Sequence, residues 1–128
     1  MSKLDRESVV GISALLVHAA NIDEIYSEHE KDLVKDFIKS YIKDIDANQI
    51  LKKAEEIENN SNQLINYTNI IKKNSMDVKK DIIEHLWKVI ISDNSIDQYE
   101  SNLMRRICGL IYFPDKECAE IKLKLINK

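Results

Sequence analysis

Carboxylates recur in two matched pairs. Asp23 and Glu30 stand seven residues apart, as do Asp93 and Glu100, and the second pair follows the first at a constant offset of seventy. Acids at such positions have an immediate use in capping. Ser27 with Glu30, and Asp97 with Glu100, carry the spacing of a capping box, in which the glutamate reaches back to the cap residue's own amide. A carboxylate in the first turn of a helix also gains roughly 0.3–1 kcal/mol from the helix dipole. Asp23 and Asp93 could cap the turns themselves. General acid–base work would ask for a pocket signature or a nucleophile close by, and the sequence offers neither beside these acids. The EF-hand loop is excluded as well, because its ligand spacing and central glycine are missing.

Other reactive side chains are few. His18, His29 and His85 fall on different predicted helices and form no i, i+4 pair. A zinc site would require them to converge with Cys108 or Cys118, which their spacing does not suggest. His18 and His85 are expected to be hydrogen-bonded at the edge of the core. Cys108 and Cys118 lie in apolar helical stretches and read as small buried hydrophobes. Trp87 and Phe113 read as core residues. A glycine-rich phosphate loop, a nucleophile elbow and a dinucleotide fingerprint are all absent. The expected class is therefore non-enzymatic.

These groups must be positioned by helices. The 128 residues contain two glycines and one proline, against 44% apolar and 32% charged. Such composition excludes a disordered chain and a disulfide scaffold, and it leaves too few chain-breakers for a β-sandwich. Leu33, Val34, Phe37, Ile38, Tyr41, Ile42 and Ile45 form an unbroken i, i+3, i+4 stripe. Two other segments, around Ile12–Ala20 and Ile82–Ile91, are apolar on most sides and should lie centrally. Ser27, Asp46, Ser61, Ser75 and Asp97 read as N-caps, and Pro114 suits the first position of a last helix. The expected fold is all-α, a single compact bundle over residues 1–128. Its seven helices fall near 4–20, 27–44, 47–58, 62–73, 76–91, 98–112 and 114–126. A loop-like stretch, Glu58-Asn59-Asn60-Ser61-Asn62, should separate the halves.

The formal charge of −3 lacks the basic excess of a dedicated nucleic-acid binder. Lys52–Lys53, Lys72–Lys73 and Lys79–Lys80 are interspersed with acids and read as solvated faces. The N-terminal residues lack a signal-peptide pattern, and Val9 to Ala20 is too short to span a bilayer. A cytoplasmic protein that engages neither nucleic acid nor membrane is the expectation.

The offset of seventy reaches beyond the acids. It aligns Ile12 with Ile82, Leu16 with Leu86, Leu33 with Leu103, Val34 with Met104, Phe37 with Ile107 and Tyr41 with Ile111. Two copies of a helical hairpin predict an internal pseudo-two-fold axis. The pattern Leu-Leu-Val-His-Ala-Ala, then Asp23, then Glu30 opening the next helix, resembles the tellurite-resistance TerB-like domain. That domain also precedes the J-domain in some membrane-anchored DnaJ-like co-chaperones. The family's hallmark is Asp-Gly-x-Ile-x-x-x-Glu occurring twice in an all-helical bundle. Asp93-Asn94-Ser95-Ile96-Asp97-Gln98-Tyr99-Glu100 matches with Asn94 in the glycine's place. The first copy departs further, with Glu24 for glycine and Tyr26 at the apolar position. Asparagine tolerates a left-handed backbone where glutamate does so poorly, so the second turn should keep the family's shape better.

The resemblance implies that Asp23, Glu30, Asp93 and Glu100 chelate a metal ion. A hard divalent cation, calcium or similar, takes six to eight oxygen ligands of the kind carboxylates and carbonyls supply. An internal two-fold could bring both turns to one end of the bundle. The resemblance further implies a small interaction or sensing module of a stress-related system, with an unidentified protein partner. The competing reading is a structural protein–protein adaptor with an acidic surface and no metal site, drawn to a basic partner by charge.

Overall fold

The computed structural model describes residues 6–21, 28–42, 47–60, 64–91 and 98–126, and statements about side chains exclude 64–66 and 98–100. It contains seven helices and, among the described residues, no strand. They are α1 (Arg6–Ala20), α2 (Glu28–Tyr41), α3 (Ala47–Asn60), α4 (Leu64–Lys72), α5 (Met76–Ile91), α6 (Gln98–Leu110) and α7 (Asp115–Ile126). The all-α reading and its seven segments hold.

The two segments that are apolar around most of their circumference became the central helices. On α1, Val9, Val10, Ile12 and an unbroken run from Ala14 to Val17 are all buried. The helix packs against α2, α3, α4 and α5. On α5, Val78, Ile82, Ile83, Leu86, Trp87, Val89 and Ile90 are buried, against α1, α2, α4 and α7. Phe37 and Ile38 of α2, Ile50 of α3, Ile71 of α4 and Met104 of α6 complete one continuous core. Trp87 and Phe113 belong to it, as their composition of neighbours in sequence suggested. Gly11 lets α1 pack closely on α4, since a Cβ there would collide with the Ile70 side chain. Ser13 is fully buried, and its Oγ finds no partner among the described residues.

Helix ends follow local chemistry. Asn74 stops α4 by donating its side-chain amide to the Ile70 carbonyl at 2.8 Å. Ser75 then caps α5: its Oγ accepts from the Val78 amide at 3.4 Å and its carbonyl from Lys79 at 3.0 Å. The caps expected at Ser27, Asp46, Ser61 and Asp97 lie outside the described residues.

Two boundaries differ from expectation for physical reasons. The stripe suggested that the sixth helix runs to 112, yet α6 ends at Leu110. The Phe113 amide bonds to the Cys108 carbonyl at 2.8 Å and the Tyr112 amide to that of Gly109 at 3.4 Å. Tyr112 between them is left-handed, at φ 60°. This is a Schellman turn with tyrosine where glycine is usual. Pro114 then lends its carbonyl to the Cys118 amide at 3.1 Å, so it stands just ahead of α7. The second difference is at α3. The stretch expected to loosen at Glu58 stays helical to Asn60, and Glu58 is only 9% exposed.

The pseudo-two-fold is not established by this packing. The α1–α3 contact has a counterpart in α5–α7, but α1 also lies along α2, whereas α6 packs chiefly on α4 and α7.

Candidate functional site

The first acidic turn leaves α1 at Asn21, whose amide bonds to the carbonyls of Val17 and His18 at 3.0 and 3.2 Å. Asp23 lies outside the described residues, and the chain is described again from Glu28 at the start of α2. Glu30, in the first turn of α2, is 5% exposed and engaged in an interaction. Its neighbour Glu28 stays in solvent and pairs with Lys31 at 3.6 Å. An apolar-faced helix could have carried an exposed acid at either position. Burial singles out Glu30.

The second turn joins α5 to α6. Asp93 lies outside the described residues; Glu100 falls on the first turn of α6, with its side chain likewise outside them. Of the four expected ligands, therefore, Glu30 alone has a described side chain. Among the described residues no group of three or more His, Cys, Asp or Glu side chains converges to hold a metal ion. The donor chemistry of the two turns, carboxylate oxygen throughout, fits a hard cation.

A carboxylate that is not among the four expected ligands lies against Asn21, where α1 ends. Glu58, near the C-terminus of α3, would face the helix's own unpaired carbonyls, an unfavourable place for negative charge. Its environment offsets that cost. Asn21 donates Nδ2–H to Oε1 at 3.2 Å, and His18 Nδ1 lies 3.4 Å from Oε2. Both partners come from the end of α1, forty and thirty-seven residues away in sequence. The contact explains why α3 continues past its expected end. Beside it opens a cavity of about 280 Å³ whose lining includes Asn21, Lys31, Glu55 and Glu58. The signal available in sequence was weak: an acid in an Asn-rich helix end reads as solvated unless its distant partner is known.

His85 shows the opposite arrangement on α5. Its ring is buried edge-on against Phe37, with centroids 5.2 Å apart. Asp81, one turn earlier, lies 3.7 Å from Nε2 and accepts a 2.6 Å hydrogen bond from the Tyr41 hydroxyl. Burial pushes the imidazole below its ordinary value, and Lys88 adds to this, while Asp81, Glu84 and Asp36 oppose it. Burial followed by the Asp81 bond drives the Tyr41 hydroxyl well above its ordinary value. The hydrogen bond expected of both histidines is found at His18, to Glu58, whereas His85 stands 3.7 Å from Asp81, beyond hydrogen-bond distance. Among the described residues neither joins a group of three or more His, Cys, Asp or Glu side chains that could hold a metal ion.

Residues 10–123 match the family model described as tellurite resistance protein TerB. The chain belongs to the TerB family. No curated protein and no solved structure matches it. The matched span runs from the start of the buried face of α1 almost to the end of α7, so the TerB domain is nearly the whole chain. Membership supports a coarse functional statement, a tellurite-resistance-related module. No helix among the described residues of this TerB domain is long and apolar enough to cross a membrane.

Proposed function

We propose that this TerB domain is a small, cytoplasmic, non-enzymatic interaction and sensing module of a stress-related system, and that a divalent cation held by its two acidic turns tunes it. The observation that carries the proposal is the family match over residues 10–123, which includes both turns. Two further facts support the cation. Glu30 is a buried carboxylate in the first turn of α2, and Glu58 is a second one beside the residue that ends α1. Asp23, Glu30, Asp93 and Glu100 would hold the ion, supplying oxygen ligands to a hard cation such as calcium. When bound, the cation would neutralise their mutual repulsion and fix the two helix starts.

Isothermal titration with calcium, magnesium, manganese and zinc, paired with thermal melts, tests this. Heat and a raised melting temperature at millimolar ion are expected. Asp93→Asn should remove more of the binding than Asp23→Asn, because Asn94 preserves the second turn better than Glu24 does the first. No heat and no shift would remove the cation.

The adaptor reading gains from Glu30, whose burial and existing engagement suit a structural role in the start of α2. On that reading the acidic surface recruits a basic protein partner. Association would then weaken as salt rises and ignore chelators.

A further inference from the structure

Cys108 and Cys118 are ten residues apart in sequence, and the Schellman turn folds α7 back so that they meet. Both are free and buried. The two thiols lie close enough that each shifts the other's protonation. Trp87 of α5 donates its indole N–H to Cys118 Sγ at 3.3 Å, and Lys122, one turn further along α7, lies 5.3 Å over the indole ring. Two thiols do not supply the four ligands of a structural zinc site, and no metal-binding group forms here among the described residues.

The surroundings of the two sulfurs are unequal. Cys108 first and then the Trp87 N–H outweigh burial and bring the Cys118 thiol down to about 7, with help from Lys122. Cys108, shifted the other way by Cys118 and itself buried, is driven far above its ordinary value. Access differs too. Cys118 lines an open cavity of about 420 Å³ together with Ser101, Arg105, Asp115 and Lys122. Cys108 is 0% exposed and does not line it. An attacking sulfur and a resolving sulfur are thus distinguished by their places.

We propose that Cys108 and Cys118 form a peroxide-reactive dithiol in which Cys118 is oxidised first and Cys108 closes an intramolecular disulfide. The oxidant is a small hydroperoxide, which the open, mainly apolar cavity beside Cys118 can admit. Cys118 gives up its proton to solvent and the thiolate attacks the terminal peroxide oxygen; the O–O bond breaks, Cys118 becomes a sulfenic acid, and the leaving hydroxide or alkoxide takes up that proton. Cys108 then attacks Cys118 Sγ. The S–S bond forms as the S–O bond breaks, and the Cys108 proton departs with the oxygen as water. The two sulfurs lose two electrons and the peroxide gains them.

Intact-mass measurement on reduced, folded protein treated with hydrogen peroxide and then alkylated in denaturant tests this. The expected product is a monomer lighter by two hydrogens, with neither cysteine alkylated, that a dithiol reductant restores. Cys108→Ser should instead stop at one added oxygen on Cys118, trapped by a sulfenic-acid reagent. Cys118→Ser should slow thiol loss by about tenfold or more. The proposal is overturned if both wild-type thiols remain fully alkylatable under peroxide that oxidises the unfolded chain. It is equally overturned if oxidation yields only inter-chain disulfide or separate oxygen adducts. The wild-type measurement decides by itself should either variant fail to fold.

Discussion

Two histidine–carboxylate pairs involve this bundle's central helices, one at the end of α1 and one midway along α5, and they are built inside out relative to each other. In the His18–Glu58 pair the carboxylate is the more buried partner, 11% exposed at its side chain against 24% for the ring. In the His85–Asp81 pair the ring is at 13% and the carboxylate at 38%. The first pair spans two helices and fixes α3 onto α1; the second lies along one helix and is joined to α2 by the Tyr41 hydroxyl. At His85, an opposite charge one turn away does not decide the ring's protonation. Desolvation outweighs Asp81 at His85 because the acid is wetter than the ring it faces.

The largest expected effect tests the inter-helix pair. Glu58→Ala strands the Asn21 amide and the His18 ring at a buried junction, and should lower unfolding stability by about 2 kcal/mol in urea titrations. Retention of wild-type stability would break the distinction, leaving Glu58 as passive as a surface acid. Glu58→Gln should recover part of the loss, since one amide oxygen can still accept from Asn21.

Next comes the pH dependence of the intra-helix pair. The folded protein holds His85 below the ordinary histidine value of 6.5, so the unfolded chain binds the proton more readily. The resulting stability is present above pH 6.5 and drains away as pH falls below it toward the folded value. Urea midpoints measured between pH 8 and 5 (~ the range where only histidine ordinarily titrates) should decline more steeply in wild type than in His85→Gln. Equal slopes would sink the claim that burial governs this ring.

The smallest effect concerns the turn between α6 and α7. Tyr112 is 68% exposed and left-handed, and the Lys72 ammonium lies over its ring, 4.8 Å from the centroid, in a cation–π contact. Tyr112→Gly relieves the backbone but gives up that contact and some unfolded-state restraint. A net gain of about 0.5 kcal/mol is expected in thermal melts, with the His85 pH slope unchanged.

How much of this was legible before the structure depends on how far apart the partners stand. The fifth helix was readable to the residue, 76–91, because Ser75 caps it and its apolar residues repeat at helical spacing. The end of α6 was not, because tyrosine gives no sign of a left-handed turn. Glu58 was read as the point where the third helix gives way to loop, because its partners, His18 and Asn21, lie at the end of a helix packed beside it only in three dimensions. Cys108 and Cys118 were each correctly read as buried, yet nothing in a ten-residue separation says that a Schellman turn will bring two sulfurs face to face. For the acidic turns, the spacing drew notice to Glu30, and its burial followed; the aspartates at 23 and 93 lie outside the described residues.

Trp87 is the chain's one tryptophan, and its indole nitrogen points at the Cys118 sulfur. Its emission is therefore an intrinsic optical gauge of that corner. A neighbouring thiol or thiolate quenches an excited indole, so any chemistry at Cys118 should register as a brightness change without a dye, a tag or an added chromophore.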